Sequence, residues 1–299
     1  RIAREGFLGG EFVLDERRTR KWMDRARGPV RSVEAFAQGI LDVANAVMEK
    51  AVRVISVERG HDPGDYTLVA FGGAGGLHAC ELASALDMPR VLVPRFPGGL
   101  SALGILRADV AKDLSETVRV RLSSTRETRL VLEAAFSRVE RHGMRQMQLE
   151  GFSARQVRTE RWLDLRYVGQ AYELTVPEAR DFAAAFHNAH ERRYGYADPS
   201  RPIEVVNIRV RLVGRTPKPT LRRERGAGSN RKASATGLRR ALFQGRALET
   251  PVYNRANLHA GERFAGPAIV SEYSATTVVP PGWGARVDLY GNLILEAMR

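Results

Sequence analysis

Apolar side chains recur at intervals of three and four between residues 36 and 55: Phe36, Ile40, Val43, Ala44, Val47, Ala51, Val54 and Ile55. That spacing marks one face of a long helix over 36–59. Ser32, followed by Val33-Glu34-Ala35, has the character of an N-cap, and Gly60 is placed to end the helix before the turn at Asp62-Pro63-Gly64. Upstream, Phe7-Leu8-Gly9-Gly10 predicts a turn. Phe12-Val13-Leu14-Asp15 then leads into a helical region that Gly28-Pro29 breaks.

The period then changes. Residues 66–71 form a short, nearly all-apolar run, the pattern of a strand buried on both faces of an α/β sheet. Gly72-Gly73-Ala74-Gly75-Gly76 follows, 77–86 reads as a helix and 90–94 as a second strand. This is a βαβ-like order with the glycines at the carboxyl end of a strand. Pro97-Gly98-Gly99 opens a further helix over 100–106.

Composition shifts near residue 120, where a domain boundary is expected, giving segments 1–120 and 121–299. Residues 125–149 read as a helix with Leu130, Ala134, Val139 and Met147 among its apolar positions. Trp162, Asp164 and Arg166 alternate with Leu163, Leu165 and Tyr167. Gly169 interrupts, and Tyr172, Leu174 and Val176 alternate again, as in a hairpin or bulged strand pair. A helix over 179–193 and a strand over 205–212 follow. From 251 to 295 short strands are separated by Ala260-Gly261, Gly266-Pro267, Pro280-Pro281-Gly282 and Gly291-Asn292.

With 43% apolar and 27% charged residues among 299, the chain has a globular composition, long enough for about two domains. No run approaches a membrane span. A single cysteine, Cys80, cannot form an internal disulfide, which fits a reducing, cytoplasmic compartment. The first residue is Arg rather than Met, so a processed product or a fragment is expected. The net charge of +13 suggests nucleic acid, but nine basic residues and one acidic residue fall between 215 and 240, which concentrates eight of those charges in one stretch. Arg222, Arg223, Arg225, Arg231, Lys232, Arg239 and Arg240 lie there amid Gly, Ser and Ala, as in a solvated loop. A binding face would draw its charges from several elements.

The 72–76 segment is the richest in chemistry. Glycines after a strand let backbone N–H groups approach a ligand, and the next helix adds its partially positive end. The order is neither a dinucleotide fingerprint nor a Walker A loop, and a tight turn packed on small residues is the alternative. His78, just inside that helix, suits a ligand hydrogen bond or proton transfer, or simple packing. Cys80 has no evident base partner. His187, His190 and Glu191 share a helix face with metal-ligand chemistry but lack the usual metalloprotease spacing, and a structural role competes. Asp164, Arg166 and Glu173 either face a site or form a solvated strand face.

The ordered set is more specific than any one motif. Phe7-Leu8-Gly9-Gly10, residues 71–79, Arg166-Tyr167-Val168-Gly169-Gln170, His187, His190-Glu191, Tyr194-Gly195-Tyr196, residues 266–270 and 276–283 occur in sequence. Together they resemble the C-terminal part of the hydantoinase A / 5-oxoprolinase family, over nearly the whole chain except 215–240. The resemblance implies an α/β fold. It would comprise the second-lobe portion of an actin-like (ASKHA) ATPase, followed by a β-rich α+β C-terminal domain over 121–299. It implies ATP, with Mg²⁺ ligands in a first lobe that has no counterpart here. It also implies a cyclic amide substrate of the 5-oxoproline or hydantoin type, a hydantoinase B-like subunit or fused domain, and an oligomer. By that analogy Gly72, Gly73, Ala74, Gly75, Gly76 and His78 contact the nucleotide, the catalytic groups stay unassigned, and the chain alone is inactive. An ATP-dependent ketone carboxylase of the acetone carboxylase type is the rival enzyme. A non-catalytic binding module with a basic loop is the rival of another class.

Overall fold

The computed structural model describes residues 11–122, 126–224 and 231–298. The turn expected at Phe7-Leu8-Gly9-Gly10, the helix start at Thr125 and Arg225 of the basic stretch lie outside the described residues. In chain order the elements are α1 (Glu16–Ala26), α2 (Val33–Ile55), β1 (Thr67–Val69), α3 (Gly75–Ala85), β2 (Arg90–Val93), α4 (Leu100–Arg107), β3 (Val110–Arg121) and α5 (Arg126–Leu149). There follow β4 (Val157–Tyr167), β5 (Leu174–Pro177), α6 (Phe182–Tyr194), β6 (Ile203–Gly214), β7 (Gly237–Phe243) and β8 (Arg246–Asn254). Strands β9 (Arg263–Ala265), β10 (Ala268–Ser271), β11 (Thr276–Val279), β12 (Trp283–Val287) and β13 (Leu293–Ala297) complete the order. Side-chain caps set several helix starts. Asp15 accepts from Arg18 N, Ser32 from Ala35 N and Asp181 from Ala184 N, at 2.9–3.1 Å.

The chain up to Ile105 and from Thr220 onward forms one compact unit, and Leu106–Pro219 forms another. The compact units are thus bounded near residues 105 and 219. The cause is strand pairing: β13 lies antiparallel beside β2, with Leu293 opposite Val93 and Leu295 opposite Val91, all four fully buried. The last part of the chain thus completes a sheet that its first part begins.

In the first unit a five-stranded sheet runs β1-β2-β13-β12-β9 and a four-stranded sheet β11-β10-β8-β7. Helix α3 packs between them. Its Ala79, Cys80 and Ala83 join a core with Val91, Val270 and Trp283, while Leu77 packs against a second cluster containing Phe243 and Val278. The β1–β2 pair is parallel, as the βαβ order predicts. However, β1 is a sheet edge, and Val69 is 47% exposed, so the expectation of a strand buried on both faces fails. Helix α2 starts at Ser32 as expected, yet its apolar stripe faces outward: Val43 is 66% and Val47 65% exposed. Strands β7 and β8 form a hairpin whose turn residues, Gln244 and Gly245, both have positive φ. Arg239 and Arg240, expected in the basic loop, are paired residues of β7.

The second unit is an antiparallel sheet, β3-β6-β4-β5, with α5 and α6 on its apolar face. The α5 stripe is Leu132, Ala135, Phe136, Val139, Gly143 and Met147. Leu130 and Ala134, expected inside, are exposed because the true stripe is out of phase with them. Strand β3 was not among the expected elements. Its inward positions include Lys112 and Glu116, which pair with Glu150 and Arg138, so polar residues interrupt the apolar alternation that marks a strand.

Candidate functional site

The glycine loop leaves β1 and enters α3 in three steps. Gly72 has φ of 81°, a conformation that favours glycine, and its N–H donates to Pro97 O at 2.8 Å. Gly73 lies against the turn between β10 and β11: its carbonyl accepts from Thr276 N at 3.2 Å, and a Cβ there would come 2.9 Å from Ser274 O. Gly76 is closer still, since a Cβ would meet Thr277 Oγ1 at 2.6 Å. Two of the glycines are therefore required by packing, as the alternative reading held. Gly73 and Ala74 nonetheless present an exposed outer surface, and α3 follows its N-cap residue Ala74 with no side-chain cap. Its first turn offers backbone donors and a partially positive end beside open space. The 97–99 turn closes the other flank, where a Cβ on Gly98 would strike the Ser274 side chain.

His78 is half-buried on the first turn of α3 and turned toward α2, where its Nδ1 lies 2.7 Å from Asn45 Oδ1. Cys80 is buried, and burial pushes its thiol far above the usual range, which removes it as a nucleophile. A cavity of about 840 Å³ opens beside Cys80, Glu81, Ser84, Phe243, Pro281 and Trp283, away from the glycine loop.

The turn that backs the loop also holds a pair not singled out from sequence. Burial pushes the Glu272 carboxyl up to about 7, with the nearby Arg255 guanidinium opposing. Burial likewise brings Arg255 down to about 10. Arg255 Nη2 donates to Gly291 O at 2.7 Å, while Arg255 Nη1 and Glu272 Oε1 are buried without a hydrogen-bond partner. A small polar run, Ser274-Ala275-Thr276, between two apolar strands was the available signal for this turn.

In the second unit the histidines join an aromatic cluster instead of a metal site. Asp198 N donates to Tyr167 Oη at 2.8 Å, and His187 Nδ1 shares a hydrogen bond with the same hydroxyl, also at 2.8 Å. His190 is buried; its Nδ1 donates to Tyr196 O at 2.8 Å, and its Nε2 accepts from Gln170 Nε2 at 3.3 Å. Both His190 nitrogens are thus engaged. Among the described residues no group of three or more His, Cys, Asp or Glu is arranged to hold a metal ion. Asp164 is not on a solvated face but fully buried. Burial raises its carboxyl, yet Arg209 Nε at 2.8 Å, Asn207 and Thr175 outweigh that and hold it below the usual carboxylate range. Arg166 pairs with Glu204 at 2.7 Å, and Glu173 is exposed.

Residues 1–114 match the family model described as hydantoinase/oxoprolinase, and residues 121–297 match the hydantoinase/oxoprolinase C-terminal domain. Caprolactamase subunit alpha of Pseudomonas jessenii is 29% identical over 304 residues, covering 96% of this chain and 43% of its own. The crystal structure of ATP-dependent caprolactamase from that organism aligns with TM-score 0.70 at 29% identity, over 99% of this chain and 45% of that one. 5-oxoprolinase 1 of Arabidopsis thaliana is 33% identical over 279 residues, 89% of this chain and 21% of its own. The nucleotide-free structure of acetone carboxylase aligns with TM-score 0.88 at 22% identity, over 99% of this chain and 45% of that one, a likeness of fold. The chain spans less than half the length of these relatives.

Proposed function

The chain belongs to the hydantoinase/oxoprolinase family, and on that premise we propose that it is part of an ATP-dependent enzyme that opens a cyclic amide. The observation that carries the nucleotide role is the exposed Gly73-Ala74 surface leading into an uncapped α3. Small residues there let the backbone lie against a flat base and ribose. The segment before residue 120 is proposed as the second-lobe portion of an actin-like ATPase. Gly72, Gly73, Ala74, Gly75 and Gly76 form its nucleotide contact, and His78 stands at the loop's end. With ATP bound, transfer of its γ-phosphoryl group to the amide carbonyl oxygen would release ADP; water would then add to the activated carbon, and loss of inorganic phosphate with cleavage of the ring C–N bond would leave a carboxylate and an amine. The Mg²⁺ ligands are assigned to the first lobe of the actin-like ATPase, and no step here runs through the ion. Turnover is assigned to the protein together with the rest of its relatives' length and a hydantoinase B-like partner, the chain alone being inactive. The sequence likeness to 5-oxoprolinase and caprolactamase favours a hydrolase over a ketone carboxylase, for which only the fold speaks.

The nucleotide contact is tested by calorimetric titration with a non-hydrolysable ATP analogue. Gly73→Val is a poor probe, because its Cβ would collide with Ser274 O. Ala74→Trp fills the exposed surface without entering the core. Affinity should fall about tenfold or more with the unfolding curve unchanged; equal affinity in the folded variant would remove the nucleotide role. ADP release with 5-oxoproline, hydantoin, caprolactam and acetone separates the substrate classes, and release stimulated by acetone alone would favour the carboxylase.

A further inference from the structure

The face of the β3-β6-β4-β5 sheet that turns away from α5 and α6 carries a row of polar groups. Asp164 sits there, between the core residues Leu163 and Leu165, and is fully buried. Its oxygens accept from Thr175 Oγ1, Asn207 Nδ2 and Arg209 Nε at 2.8–2.9 Å, the last N–H being shared by both oxygens. The carboxylate thus holds Arg209 by Nε alone. Neither Arg209 Nη has a hydrogen-bond partner among the described residues, and half of this side chain is exposed. The two Nη groups form the end of the guanidinium whose planar fork matches a carboxylate. In register, Arg209 has Ser115 of β3 on one side and Trp162 of β4 on the other. The Ser115 hydroxyl and the Trp162 indole N–H also lack a hydrogen-bond partner among the described residues. All three side chains line one cavity of about 420 Å³, together with Asp113, Thr175 and Arg211.

A structural role accounts for only part of this arrangement. A buried ion pair adds little stability over well-packed apolar side chains of similar volume. What the bonds to Asp164 do supply is a fixed place for the guanidinium. Three donors on three adjacent strands then stand in one row, and no group of the described chain accepts from them. Charge narrows the ligand. Asp164 balances Arg209, and Asp113 balances Arg211, accepting from its Nε at 2.6 Å and its Nη2 at 3.0 Å. The exposed Glu173 adds a further negative charge near Arg209. No surplus of positive charge is left to hold a phosphate dianion. A monoanion with two coplanar oxygens matches the fork, and its remaining lone pairs suit the hydroxyl and the indole N–H. The volume is that of a small-molecule site.

We propose that Ser115, Arg209 and Trp162 form a binding site for the carboxylate of a small organic acid. All of its residues belong to the Leu106–Pro219 unit, so the proposal stands apart from the nucleotide reading.

The test is ¹H–¹⁵N correlation of the three tryptophan indoles of the chain, with Trp162 assigned by Trp162→Phe and benzoate as the probe. Benzoate should move the Trp162 resonance saturably. Benzamide has the same shape without the charge and should bind about tenfold more weakly. Arg209→Lys keeps a positive charge beside Asp164 but loses the fork, and should weaken benzoate about tenfold or more. Ser115→Ala breaks no hydrogen bond of the described chain, so the fold is kept. It should weaken benzoate about fivefold, the worth of one ordinary hydrogen bond. Asp113→Asn removes a negative charge from the cavity wall and should tighten benzoate about twofold. Unfolding curves show which variants are folded, and if Arg209→Lys is not, Ser115→Ala and benzamide still decide. A Trp162 resonance that benzoate leaves in place overturns the proposal. So does equal affinity for benzoate and benzamide, or an affinity for benzoate that Ser115→Ala and a folded Arg209→Lys leave unchanged. Inorganic phosphate binding as tightly as benzoate would also overturn it, by showing a site for anions in general.

Discussion

The glycine loop and the cluster around Tyr167 are two places where the chain gathers chemistry-bearing residues, and they use them in opposite ways. Around Tyr167, hydroxyl, imidazole, amide and carbonyl groups satisfy one another: Tyr167 serves His187 and Asp198, and His190 serves Tyr196 and Gln170. Such a network specifies a core and leaves little to offer a ligand. At the glycine loop the polar groups behind the backbone are likewise tied, through Pro97 and Thr276, but the outer surface at Gly73 and Ala74 is bare. Histidine count alone therefore does not mark a place for a ligand. What distinguishes a site from a core is where hydrogen-bonding capacity is left over.

The sharpest way to break this contrast is to cut into the closed cluster. Tyr167 is fully buried, edge-on to Phe186 at 5.0 Å. Tyr167→Ala should cost about 3–5 kcal/mol by cavity formation. Tyr167→Phe, which leaves Asp198 N and His187 Nδ1 without their partner, should cost about 1–3 kcal/mol. Denaturant unfolding of the variants measures both, and a negligible cost for Tyr167→Phe would mean the cluster is not closed after all. Within the loop the glycines should divide. Gly76→Val should destabilise by about 1–3 kcal/mol through overpacking against Thr277. Gly75→Ala, whose Cβ would sit 3.6 Å from the Ala70 backbone, should be tolerated. Equal destabilisation by the two would show that the loop is closed packing throughout and would merge the two regions into one class.

Much of this was legible. The turn residues after 250 separate the strands they were expected to separate, and Ser32 caps α2, because caps and turns are local chemistry. The 72–76 motif predicted the strand–loop–helix order but not the reason for each glycine, since Ser274 and Thr277 approach from some two hundred residues away. The burial of Asp164 was hidden for the same reason: an alternating strand looks half solvated until Arg209 and Asn207 on β6 close over it. The return of residues 220–298 to the first unit was also beyond local signals, because strand order across β2 and β13 is a long-range property. The outward stripe of α2 shows the converse limit, where periodicity identifies a helix face without saying what covers it.

The smallest expected effect tests whether the turn behind the loop stores a cost that the Tyr167 cluster avoids. Burial raises the Glu272 carboxyl from its ordinary 4.5 to about 7, against the opposing charge of Arg255. Between those two values the folded protein holds a proton that the unfolded chain has released, so stability declines as pH rises through that window and levels off above it. The contribution is full below pH 4.5 and gone above pH 7. Discounted for the part of the carboxyl that solvent still screens, the loss is about 1 kcal/mol. Glu272→Gln removes the ionisation, so its unfolding free energy should fall less than wild type between pH 5 and pH 8. Asp164 provides the contrast: its net shift is downward, so its contribution is present above the ordinary carboxylate range and is lost in acid. Unfolding curves at pH 5 and pH 8 for wild type and Glu272→Gln decide the matter. Parallel losses in the two proteins would show that Glu272 ionises freely in the fold and that the turn behind the glycine loop is no more strained electrostatically than the Tyr167 cluster.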